Sequence, residues 1–484
     1  MADASSIPED LAQVAADKGI PTEVIQRALA LGFPAEAVKA QLSMPGVTAE
    51  AAEQFIAEQE RIRAGGEVTI PPELAEVAAA NKWPESLVVR ALKLGAQADF
   101  LTNQIKAGIA PEQAERFIEQ QERAREVGVA QTLNLAWMHV PTEWGIRVHP
   151  GKKGLTVGMI NVGTYADIPD VWPYQTEMPR GAYPIPGVPA MGYSIYEKAE
   201  LWAENAADLY EEAIQRRWRP ATDIPWETMQ DLPDDVEKAV CQVCTWLCEN
   251  ALLAGDVTGK WLPEMSYGYH EIKLYLATAA YDYAHQFEVF RKRALSNGGG
   301  MGLQSPGYFH RGIIDARAWT ETSAALHILA ASHTMMVLQV GAYTAHNEAE
   351  ALIYRYVMQD VARQIAYGVQ HLKFFLMKHH ERRAELHNYL NKAEAIFVYE
   401  DEKDVPLREA LTILLGGGTS PELMADGHQK YEYFRARFIR DYLGRLAGAG
   451  VPERKNKLHT ALRKYVPQEE RSYGGIAHTG PGSS

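Results

Sequence analysis

Three cysteines in 484 residues leave no disulfide framework to hold this chain together. All three, Cys241, Cys244 and Cys248, fall on one expected helix at i, i+3 and i+7. A single helical face cannot wrap four ligands around a soft metal, so they read as small core residues in a reducing cytoplasm. Long apolar runs are also missing: no stretch approaches the ~18 residues of a membrane span. The opening MADASSIPEDLAQ has neither the basic start nor the apolar run of a signal peptide. Basic charge is in deficit, 48 Lys and Arg against 62 Asp and Glu, so nothing draws in a phosphate backbone and nucleic acid is excluded as a partner. The Gly-rich stretch Asn297–Leu303 lacks the Lys-Ser/Thr ending and the preceding strand of a phosphate-binding loop, and reads as a flexible connection.

What the chain does have is an internal repeat over 7–63 and 70–125. Leu11, Val14, Pro21, Arg27, Ala28, Leu29, Leu31 and Gly32 return 63 positions later as Leu74, Val77, Pro84, Arg90, Ala91, Leu92, Leu94 and Gly95. After a one-residue slip, Ala52 to Ile56 returns as Ala114 to Ile118. Pro21 and Pro84 suit a first helical turn and Gly32 and Gly95 a stop, giving three short helices per copy in a docking or oligomerisation module, 1–128. From 129 to 194 periodicity fades into a Pro-, Gly- and aromatic-rich arm, extended chain that must lie on its own core or on a neighbour, with one strand pair expected at Leu155–Val162.

Helical spacing resumes at Ile195, with Ser194 as N-cap, and predicts helices over 195–217, 234–254, 268–295, 319–345, 347–378 and 380–397. Shorter ones follow at 405–415, 420–443 and 454–464, making 195–465 a bundle before a loose tail, 466–484. The fold class is therefore all-α. His379, His380 and His387 read as part of a solvated face, and His310 stands alone with no second ligand-type residue beside it.

Three segments of the bundle carry a resemblance. One is Leu209-Tyr-Glu-Glu-Ala-Ile-Gln-Arg-Arg-Trp-Arg-Pro-Ala-Thr-Asp-Ile-Pro-Trp226; the others are DYAHQFEVFRKRA from Asp282 and DVARQIAYGVQHL from Asp360. They are similar to the Y-x-x-A-x-x-x-x-W-x-P-x-x-D-[IL]-x-W and D-E-x-R-H patterns of the ferritin-like di-iron carboxylate superfamily, in its ribonucleotide reductase small-subunit and bacterial monooxygenase hydroxylase branch. That resemblance implies a ferritin-like bundle in which two helices each give a Glu and two others each give Glu-x-x-His. Here the first Glu-x-x-His becomes Tyr283 and Gln286, and the second Val361 and Gln364. Glu249 is similar to the lone Glu of the first ligand helix, and the window for the other lone Glu, Ala331-Ser332-His333, holds no carboxylate. Asp282, Asp360 and Arg363 match residues that orient ligands in such proteins.

The resemblance thus implies a non-catalytic subunit, with no metal of its own, that supports a homologous, ligand-complete di-iron partner in a cytoplasmic hetero-oligomer. The partner would oxidise a small organic molecule with O₂, with electrons from a reductase. Two alternatives stay open. Glu249, Asp282, His285 and His333 form a mixed carboxylate–imidazole set for one iron or manganese ion in a stand-alone oxidase, which could instead use Tyr283 as a redox-active side chain. The other is a homo-oligomeric scaffold.

Overall fold

The structure, a computed structural model, describes residues 7–126 except 32, 34, 44–46 and 64–67, together with Met138 and residues 145–466. Nearly all of the expected tail, and residues 129–137 and 139–144 of the arm, lie outside the described residues. The chain divides into two compact units, Met1–Thr142 and Glu143–Ser484.

In the first unit each copy of the repeat makes four helices rather than three: α1 (Glu9–Asp17), α2 (Thr22–Ala30), α3 (Ala35–Ser43) and α4 (Ala49–Arg63), then α5 (Pro72–Ala80), α6 (Glu85–Lys93), α7 (Ala98–Lys106) and α8 (Pro111–Glu126). The extra break follows from backbone stops: Lys82, Gly95 and Gly108 all take left-handed φ values of 59°, 89° and 89°, each ending a helix of the second copy. Each copy closes on its own small core, around Leu11, Ile25 and Ile56 in the first and Leu74, Val88 and Ile105 in the second. The repeat extends to its ion pairs. Arg27 bridges Glu53 and Glu60, and Arg90 bridges Glu115 and Glu122. These pairs are part-exposed, so their contribution is modest.

The second unit is a helical bundle in which no strand occurs among the described residues. Its helices are α9 (Ala206–Gln215), α10 (Asp234–Trp261), α11 (His270–Ser296), α12 (Tyr308–Ile314), α13 (Trp319–Ser323), α14 (Ala331–Tyr343), α15 (Glu348–Lys378), α16 (Arg383–Lys403), α17 (Val405–Gly416), α18 (Pro421–Gly448) and α19 (Arg454–Lys457). A π-helical segment, Ala324–Ala330, joins α13 to α14. The run Trp319–Tyr343 is long and apolar enough to cross a membrane by length and composition, contrary to the sequence reading, but 89% of its apolar window is buried by the rest of the protein. It is the central core helix of the bundle.

Three local expectations are corrected by tertiary contacts. The helix expected over 195–217 shrinks to α9. Ile195 instead donates its N–H to Glu264 and accepts from Ser266, while Tyr196 accepts from Trp172, and these bonds hold the chain extended. Ser194 caps nothing; its hydroxyl bonds Glu264. The expected strand pair at 155–162 is a 3-10 turn over Val157–Ile160 beside a single Gly151–Gly154 bridge.

Within the second unit, Trp172 and Arg180 of the arm pack on the bundle. Trp172 is buried in the bundle core, and Arg180 forms a buried ion pair with Glu271 of α11. Gly268 makes the first contact possible, since a Cβ there would sit 2.2 Å from the Trp172 ring.

Candidate functional site

Tyr283 and Gln286 lie three apart on α11, and Val361 and Gln364 three apart on α15, so each pair shares one helical face. The two faces meet at a cavity of about 30 Å³, closed by Leu247, Asn250, Ala251 and Ala254 of α10 and by Leu326, Ala330, Ala331 and Thr334 of the π segment and α14. All four positions singled out in the sequence are thereby brought together from segments 75 residues apart. No carboxylate, imidazole or thiol lines the cavity. Burial, reinforced by the Asp282 charge, pushes the Tyr283 phenol far above its usual range, so it is neutral. The donors present are uncharged amides and hydroxyls, and they do not fit a di-iron centre, whose charge of about +4 to +6 requires several anionic ligands.

Behind this face stands a buried charge network. Arg363 Nη2 donates to Asp282 Oδ2 at 2.8 Å and to Asp360 Oδ1 at 2.5 Å, tying α15 to α11. Trp218 Nε1 donates to Asp360 Oδ2 at 3.1 Å, and its ring stacks on Tyr356 and tilts against His285. Thus the tryptophan of the Trp218-Arg-Pro motif fixes the acidic residue that opens the second box. Two carboxylates share one guanidinium here. Burial first, and then the Asp282 charge, pushes Asp360 up to about 7.

A raised folded-state pKa stabilises the protein below the unfolded value of about 3.8 and loses that contribution as pH rises through the folded value. Wild-type stability measured against Asp360→Asn is therefore expected to fall between about pH 4 and pH 7, by at most about 1.4 kcal/mol per unit, and to be flat above. Urea titrations of both proteins across that range check it; a difference constant with pH would mean that both aspartates stay ionised.

Glu249 belongs elsewhere. Its carboxylate accepts the Ser305 N–H at 3.1 and 3.2 Å, and the cavity is lined on the α10 side by Leu247, Asn250, Ala251 and Ala254 instead. The alternative metal set is corrected for the same reason. Glu249, Asp282, His285 and His333 form no cluster of ligand atoms. Asp282 is committed to Arg363, His285 packs on Trp218 and Tyr281, and His333 is enclosed by Trp246, Phe397 and Phe438. Burial pushes His333 down to about 3, leaving it neutral.

Among the described residues one group of metal-type ligands converges, Glu197, Glu200 and His379, at the protein surface. Arg382 already pairs with Glu200, which removes much of that group's attraction for a cation.

Several features had no legible signal. Arg293 bridges Glu237 of α10 and Glu350 of α15 in full burial, at 2.6 Å to each. The π segment sits where one regular helix was expected, and Gly368 lets α15 pass it: a Cβ there would lie 2.5 Å from the His327 Cβ. His387 is buried beside Arg454 and Glu453 instead of solvated. His310 is not alone; it shares a second cavity with His333, Glu400 and Asp404. The Gly-rich stretch is strapped along α10, with Gly302 N–H on Thr245 and Leu303 N–H on Gln242, and a Cβ at Gly299 would meet Cys241 Sγ at 2.3 Å.

Among known proteins, no family model, no curated protein and no solved structure matches this chain.

Proposed function

We propose that this chain is a non-catalytic, ferritin-like subunit that supports a homologous, ligand-complete di-iron partner, and that the partner carries out O₂-dependent oxidation of a small organic molecule. One observation carries the reading. Tyr283, Gln286, Val361 and Gln364, chosen from sequence motifs as ligand positions that have lost their ligands, border one cavity, and the groups they present there are neutral or apolar. Motif spacing alone does not force residues of two separate helices onto a common cavity. A framework of ionic contacts around the cavity also favours a structural task, because Arg363, Asp282 and Asp360 still join α11 to α15 without any metal ligand to orient.

The test is purification of the native complex from its host, with metal analysis of each separated chain. The expected result is a stoichiometric second chain carrying two intact Glu-x-x-His boxes, with iron confined to it. Near-stoichiometric iron or manganese in this chain when isolated, or a complex containing copies of this chain alone, would overturn the reading.

A further inference from the structure

Gln286 and Gln364 are each about 95% buried, both border the cavity between α11 and α15, and the Nε2 of each has no hydrogen-bond partner. A buried amide nitrogen left without a partner costs free energy, and an internal water is one way to satisfy it. The amide nitrogen and oxygen exchange places on a 180° rotation, so each side chain can offer either a donor or an acceptor.

The volume limits the guest. About 30 Å³ accommodates a water molecule and little more. The lining limits it further: with Phe290, Leu326, Val357 and Val361 around the amides and no charged group among the lining residues, an ion would lose its hydration without compensation.

A way in adjoins it. The second cavity, also about 30 Å³, shares Asn250 and Ala330 with the first, and is lined by His310, His333, Glu400, Asp401, Asp404 and Arg408. His310, Asp401 and Arg408 are part-exposed, which places this outer chamber beside the surface. Asn250 is held in the shared wall by its own hydrogen bond to the Trp246 carbonyl at 2.8 Å.

We propose that the cavity between Gln286 and Gln364 is a binding site for a water-sized, uncharged, hydrogen-bonding molecule, occupied by water and filled through the outer chamber past Asn250. The site requires no partner subunit, so it stands or falls separately from the function proposed above.

The test uses the full chain and water as the probe. A high-resolution crystal structure is expected to show a water oxygen within about 2.7–3.2 Å of both amides. Deuteron and oxygen-17 magnetic relaxation dispersion is expected to count fewer long-lived internal waters, by about one or two, in Gln286→Leu/Gln364→Leu. In Asn250→Leu the count should be kept while the residence time of those waters lengthens about tenfold or more, as the wall closes. Density showing the two amides bonded directly to each other, or a water count unchanged in the double variant, would overturn the site. An unchanged residence time in Asn250→Leu would overturn the route.

Discussion

A variant carrying Tyr283→Glu, Gln286→His, Val361→Glu and Gln364→His is expected to bind about one equivalent of a divalent transition metal, with a Kd of roughly micromolar or below. The four positions border one cavity on two packed helices, and the substitutions place two carboxylates and two imidazoles around it. Two anionic groups neutralise a divalent ion, and the neutral imidazoles complete four ligands of the kind cobalt, manganese and zinc accept. The apo variant is expected to be less stable than the parent, since Val361→Glu buries a carboxyl where an apolar side chain 1% exposed now stands. Metal should reverse that loss by mass action, raising the melting temperature with concentration. Cobalt(II) absorption, read beside a circular dichroism control for folding, gives the outcome. A folded variant that binds no cobalt at about a hundred times that Kd would show that the four positions do not share a coordination sphere, and would remove the main support for the proposed function.

The second large effect is expected at Arg293→Met, about 3–5 kcal/mol of lost stability at neutral pH. Arg293 is 1% exposed and holds Glu237 of α10 and Glu350 of α15 from its place on α11, so three long helices meet at one guanidinium. Burial by itself pushes Glu237 and Glu350 up. At Glu237 the hydrogen bonds from Arg293 and Asn297 reverse this, and at Glu350 the His346 hydrogen bond and the Arg293 charge do so, leaving both below the ordinary carboxylate range. Lowered acids stabilise the folded protein above their unfolded pKa and lose that contribution as pH falls through the folded value, so in the wild type the contribution of these two acids is lost only below about pH 4.5.

Without the guanidinium, burial dominates and both acids titrate upwards. Relative to wild type, Arg293→Met is therefore expected to gain stability as pH drops from 7 to about 5, a range in which the paired acids of the wild type contribute no slope. Adding Glu237→Gln and Glu350→Gln should recover most of the loss, because the penalty comes from uncompensated buried charge and not from missing packing. Urea unfolding of the three proteins at pH 5 and 7 decides it; a uniform, pH-independent loss in Arg293→Met would mean that Arg293 acts mainly through packing.

The cavity was half legible in the sequence. Tyr283 with Gln286, and Val361 with Gln364, could be chosen because a spacing of three fixes a common face on any helix, whatever surrounds it. The α10 side was not legible: Glu249, the position the resemblance marks, lies outside the lining and its neighbour Asn250 within it, because a single position turns a helix by about 100° and only a neighbouring helix says which face is inward. Arg293, Glu237 and Glu350 gave no signal at all. Each looks in sequence like an ordinary charge on an amphipathic helix, and they become a triad only when three helices separated by up to 113 positions pack together.

Alone, the sequence determined the helical class, the duplication of the first unit and the lengths of most bundle helices, since all three rest on short-range periodicity and on stops such as Gly95 that act within a few residues. Tertiary structure decided the rest. It held Ile195 and Tyr196 extended through bonds to 264–266 and 172, opened the π segment at Ala324–Ala330, buried His387, and chose which α10 residues face the cavity. Each of those outcomes depends on partners distant in the chain, and a local pattern carries no information about a contact that exists only after packing.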